Sequence, residues 1–217
     1  MKTSLSILTL LLVSACSSGP SVPDWQLDTQ SAMARYSQQY LEGRSKLAAA
    51  SFDKARNATS ATADIAAVAH LELIKCGIAM AALNSAPCSA YTRLAPSNTV
   101  DANYYRLLTG DFQHIDKQQI PSQYQAWLMS KNTNDINTQL NQISNPVSRL
   151  IATSLSILHR PHNATTVQIG IDTASAQGWR RPLLAYLLLQ QKNNTDPLQQ
   201  QQIQTRIELL QSSLIAQ

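Results

Sequence analysis

Side chains able to do chemistry are few in this chain, and their spacing limits what that chemistry could be. The four histidines are His70, His114, His159 and His162. His159 and His162 flank Arg160-Pro161 in "HRPH", a spacing that on a helix would bring two imidazoles to one metal ion. Pro161 breaks that helix, so the pair is expected at a solvent-facing helix end. No metal or cofactor is expected. Glycan hydrolysis needs at least one well-placed carboxylic acid and usually two. The glutamates Glu42, Glu72 and Glu208 all fall in helical patterns, and Glu72 with Lys75 reads as a surface pair one turn apart. Asp172, in "GIDTASAQGW", has the best case for a role because Trp179, Arg180 and Arg181 follow closely. A cationic and aromatic corner of these four residues could hold an anionic ligand or a partner's carboxylate. The competing expectation is structural: arginines at helix ends satisfy carbonyls, and a tryptophan plugs a hairpin. There is no G-x-S-x-G elbow, H-E-x-x-H pair or glycine-rich phosphate loop. No catalytic residue is therefore assigned.

The elements that must position these residues are helices. Between Ala63 and Leu83 one apolar stripe runs Ala67, Leu71, Ile74, Ile78 and a second runs Leu73, Cys76, Met80, Leu83. Only Glu72 and Lys75 leave a polar sliver, which predicts a central helix. Asn145-Pro146 and Asp196-Pro197 are matching helix starts, each a capping side chain followed by proline at the first helical position. The first opens a stripe of Val147, Leu150, Ile151, Ser154 and Leu158, the second a stripe of Ile203, Ile207, Leu210 and Leu214. Gly178 stands where a helix C-terminal cap is expected, and Pro182 opens the buried helix "LLAYLLLQ". Alternating strand patterns are absent. Short connections between such helices predict an all-α fold of stacked antiparallel hairpins.

Composition excludes some functions. The chain has 217 residues, 14% of them charged, with a net charge of +4. So small an unclustered excess gives no grounds for a nucleic-acid partner. The run Leu5 to Ala15 is shorter than the roughly 20 residues that span a bilayer. With Lys2 before it and Ser14-Ala15 after it, it reads as an export signal.

At the end of that signal, Val13-Ser14-Ala15-Cys16 resembles the lipobox of bacterial lipoproteins. The resemblance implies a signal peptide over 1–15, lipidation of Cys16 and anchoring by two or three acyl chains, enough for stable attachment. Ser17, in place of an aspartate after the cysteine, implies transfer to the outer membrane, on its periplasmic face. The alternative is an ordinary secretory signal with Cys16 incidental. Residues 16–23, the cysteine and the tether "SSGPSVP", reach about 25 Å when fully extended. With Cys16 lipidated, Cys76 and Cys88 are left to pair in an oxidising compartment, in a loop worth about 3 kcal/mol. Free buried thiols are the alternative, since neither C-x-x-C nor C-x-x-C-H occurs.

Residues 24–217 are expected to form a single helical domain. Within it Tyr40, Gly43, Ala48, Phe52 and Ala55 resemble the second half of a tetratricopeptide repeat: a small residue at the turn, two alanines at helix contacts and an aromatic. The family's upstream tryptophan is missing, the tyrosine is one position out of register, and Ser60 stands at the usual closing proline. A generic hairpin explains the segment as well as a degenerate repeat array does. The function expected from all this is that of a non-catalytic, membrane-tethered interaction module serving an envelope protein assembly. Two alternatives stand beside it. One is a cell-wall or lipid hydrolase using Asp172, His159 and His162; the other is a carrier with an apolar cavity behind Leu183 to Leu189.

Overall fold

The computed structural model describes residues 22–94 and 97–215, with side chains as far as Ser212. The leader and Cys16 lie outside the described residues, and nothing in the fold bears on them. Among the described residues the chain is helical, without a strand. The helices are α1 (Asp24–Leu41), α2 (Ser45–Ser60), α3 (Ile65–Met80), α4 (Ser89–Arg93), α5 (Thr99–Thr109) and α6 (Ser122–Met129). They continue with α7 (Thr133–Gln142), α8 (Pro146–His159), α9 (Ala164–Ala176), α10 (Arg180–Asn193) and α11 (Pro197–Ile215). Two short 3₁₀ turns, Phe112–His114 and Lys117–Gln119, connect α5 to α6.

Turn chemistry makes these helices into hairpins. Gly43, at φ +86°, ends α1 in the left-handed conformation that glycine adopts without a Cβ penalty. The Gly43 amide donates to Tyr40 and the Arg44 amide to Gln39, the double bond of a Schellman cap. The same device ends α9: Gly178 sits at φ +66°, its amide donates to Ser175, and the Trp179 amide donates to Ala174. Helix starts are equally local. The Asn145 side chain accepts from the Ser148 amide ahead of Pro146, and Asp196 accepts from the Leu198 amide. Pro182 lies inside the first turn of α10, where no intrahelical amide bond is lost. Such short connections turn α1 back along α2, and α8, α9, α10 and α11 back along one another.

The α1–α2 hairpin closes on the face that the repeat-like residues mark. Ala48, Phe52 and Ala55 are buried against Ala32, Met33 and Tyr36, with the Tyr36 and Phe52 rings 5.3 Å apart. After α3 the chain folds under itself, and Cys76 and Cys88, with Cα atoms 5.9 Å apart, form a disulfide. Early and late helices meet where α3 packs on α8 and where α1 contacts α10.

One expectation about the core needs correction. Glu72 is not on the surface with Lys75. It is 5% exposed, and the Arg56 guanidinium of α2 donates to it at 3.0 Å. Lys75 instead places its ammonium 4.0 Å from the centre of the Phe52 ring. The polar sliver of α3 faces α2, which is why it had to be polar and paired. Helix α3 is central, as its two stripes predict, and meets α1, α2, α4, α5 and α8; α8 is buried as deeply. Every residue from Ile151 to Ser156 of α8 is buried, three of them hydroxylic. Thr153 and Ser156 donate to the carbonyls of Arg149 and Ala152 one turn back, so their polar atoms cost little to bury.

Candidate functional site

Between the amino-terminal parts of α1 and α3 lies a groove of about 330 Å³. Trp25, Met33, Ala67, Leu71 and Ile74 make its walls apolar, and Thr29, Thr59, Gln30 and His70 edge it. The α3 wall is the predicted stripe at helical spacing, so local periodicity alone builds half of the site. Asp64 caps the start of α3 by accepting from the Ala67 amide, which fixes the residue at the groove's mouth. Around the same end Val22, Leu27 and Ile65 expose 49%, 51% and 61% of their surface.

His70 is the one imidazole at this groove, and a carboxylate from another helix orients it. Its Nδ1 lies 2.7 Å from Asp101 Oδ1. Asp101, in the first turn of α5, is 2% exposed, and its second oxygen is buried without a hydrogen-bond partner. A carboxylate so placed accepts from Nδ1–H, leaving Nε2 as the ring's other polar atom on a side chain that is 56% exposed. No hydroxyl is bonded to this ring among the described residues. The Thr59 hydroxyl donates to the Ala55 carbonyl at 3.0 Å, so the Thr29 hydroxyl, 3.0 Å away, donates to Thr59. The Thr29 and Thr59 hydroxyls at the groove are thus bonded to each other and to the backbone rather than to this ring.

The structure separates the residues that sequence had grouped. Arg181 reaches α1, where its Nε donates to the Tyr40 carbonyl at 2.7 Å, its Nη2 donates to Ser45 at 2.7 Å, and its guanidinium lies 4.2 Å from the Tyr40 ring centre. Arg180 Nε donates to the Glu42 carbonyl at 3.0 Å. Both arginines therefore satisfy the carboxy-terminal end of α1. Trp179 is half-buried at the α9–α10 turn. Asp172 is exposed, accepts from Gln168 at 2.8 Å, and opens onto a different depression with Asn141, Arg149 and Gln177. His162 lines a third depression with Asn163, Gln190 and Asn194, and His159 a fourth beside the disulfide. Behind α10 the space is filled, since Tyr186 and Leu187 are fully buried.

Sequence reasoning passed over His70 and Asp101 because they stand 31 positions apart, with no motif linking them. The one usable signal was an aspartate three residues after the Asn98 cap of α5, a position that favours a carboxylate at the helix start. Compared with known proteins, the chain matches no family model, no curated protein and no solved structure.

Proposed function

We propose that this protein is a non-catalytic interaction module, lipid-anchored at Cys16 on the periplasmic face of the bacterial outer membrane, whose α1–α3 groove receives a segment of an envelope protein. The observation that carries the proposal is the groove itself: an open apolar trough with exposed Val22, Leu27 and Ile65 around its end. Apolar surface of that kind on a helical stack is costly to leave in water and suits a partner. The groove begins at Trp25, two residues after the tether, so a partner held there would sit close to the anchoring leaflet.

In-cell photocrosslinking tests the proposal, with the crosslinker at exposed Gln30 on the groove's edge. A discrete adduct with an envelope protein, absent when the crosslinker is moved to Gln201 on α11, is the expected result. Equal adducts from both positions would sink the groove as the binding surface. Membrane fractionation of Cys16→Ala tests the anchor separately, and the variant should leave the membrane fraction.

A further inference from the structure

We infer that the segment bound in the α1–α3 groove is cationic and amphipathic, its apolar side chains in the trough and its lysines or arginines on the rim. This deepens the interaction role proposed above and rests on it. The chain as a whole carries a net charge of +4, yet the mouth of this groove is acidic. Asp24 opens α1, Asp28 follows one turn later, and Asp64 caps α3. Lys54 lies 3.6 Å from Asp28 and offsets it, and Arg56 is committed to Glu72. Asp24 and Asp64 are exposed and have no cation within ion-pairing distance among the described residues. Potentials that are complementary across an interface select partners and speed encounter, so an acidic mouth favours a basic segment.

The His70–Asp101 pair points the same way. Asp101 holds the ring through Nδ1 and keeps a second, unpartnered oxygen buried behind it. The ring's exposed edge is thus backed by the negative charge of Asp101, which adds to that of Asp24 and Asp64 and favours a cationic segment. A fatty acid or other lipid with an anionic head would set like charge against Asp24, Asp64 and Asp101, so the trough's apolar walls alone do not make it a lipid site. Its volume of about 330 Å³ falls at the small end of the range for ligand sites, suited to a few side chains rather than a folded domain.

The test uses the full-length protein in neutral detergent and a labelled helical peptide of about 14 residues, with leucines along one stripe and lysines opposite. A matched peptide carries glutamate for every lysine. The lysine peptide should bind at least ~10-fold more tightly than its glutamate twin, a difference of about 1.4 kcal/mol, and the gap should shrink with added salt. Ala67→Phe fills the trough and should weaken the lysine peptide ~10-fold or more. Gln30→Trp, on the exposed opposite edge, is a second filling variant should the first fail to fold. Asp24→Asn with Asp64→Asn keeps a capping side chain on α3 while removing both charges, and should flatten the salt dependence. His70→Ala should cost ~5-fold, the worth of one hydrogen bond. Equal binding of the two peptides overturns the inference, as does lysine-peptide binding that survives both filling variants. Displacement of the lysine peptide by phosphatidylcholine vesicles would reassign the trough to acyl chains and also overturn it. So would self-association of the chain that is lost in Ala67→Phe, which would give the trough to a second copy. If Gln30 crosslinks persist while the peptides fail, the basic chemistry alone falls; if the crosslinks do not depend on the groove, the interaction role falls with it.

Discussion

Helices α1–α3 and helices α6–α10 both bury aromatic rings against small residues, but the first set leaves an apolar trough where the depressions of the second are edged by polar side chains. In the first, α2 packs Ala48, Phe52 and Ala55 inward and pairs Arg56 with Glu72 of α3, and the trough opens beside it between α1 and α3. In the second, rings and hydroxyls fill the core. The Trp127 indole donates to Ser156 at 2.9 Å, and the Tyr186 hydroxyl meets Ser154 at 2.9 Å and donates to the Leu150 carbonyl at 3.2 Å. Thr166 donates to Asn137, whose amide in turn donates to Asn163. At Gly170 a Cβ would collide with the Tyr186 ring. Buried hydroxyls and a missing Cβ let the helices of the second set pack closely, whereas the first keeps an open apolar face between α1 and α3. Filling gives stability, and the open face gives a surface.

Substitutions and pH should expose that contrast. The largest effect belongs to the filled layer: Trp127→Ala should cost about 4 kcal/mol in urea unfolding, since it empties a fully buried site and strands the Ser156 hydroxyl. Leu27→Ser at the groove end, where Leu27 is half exposed, should change stability by less than about 0.5 kcal/mol. A comparable loss at both positions would erase the distinction. Alkaline pH is next. Burial raises Tyr124 to about 12 from its ordinary 10, and pushes Tyr186 higher still. A raised folded value means that stability is complete below pH 10 and is lost as pH climbs through the folded value. For Tyr124 the loss is about 3 kcal/mol, at 1.36 kcal/mol per unit. Tyrosinate absorbance should therefore rise late and together with unfolding; early, gradual ionisation of these rings would mean that the layer is not closed.

Gly170→Ala should cost about 2 kcal/mol, because the Tyr186 ring is fully buried and cannot give way cheaply. The smallest expected effect has the opposite sign. Ala63, between α2 and α3, holds φ +55° on an exposed site, and Ala63→Gly should raise stability by about 1 kcal/mol through relief of left-handed strain. No gain in the urea midpoint would mean that the turn relaxes at little cost.

Much of the fold was legible because the signals that made it are local. Asn145-Pro146 and Asp196-Pro197 do start helices, Gly178 does end one, and the Gly43–Ala48–Phe52–Ala55 pattern does mark a hairpin's turn and buried face. The pairing of Cys76 with Cys88 followed from a short loop. The errors came where a residue's neighbour is distant in the chain. Glu72 looked like half of a surface pair because Lys75 is one turn away, whereas its partner is Arg56. The depth at which α8 buries Thr153, Ser154 and Ser156 was not legible either, because serine and threonine score as polar wherever they sit. Only the facing Trp127 and Tyr186 turn those hydroxyls into core.

By itself, then, the sequence determined which segments are helices, where they turn and which stripes are apolar. Those outcomes depend on dihedral preferences, caps and periodicity within a few residues. The tertiary structure decided what those stripes meet. It sent Arg180 and Arg181 to the end of α1, some 140 positions away, and left Asp172 on another face bonded to Gln168. It set Asp101 behind His70 at the edge of the groove. Long-range pairings of this kind depend on how whole helices pack, and no single stretch of chain carries that information.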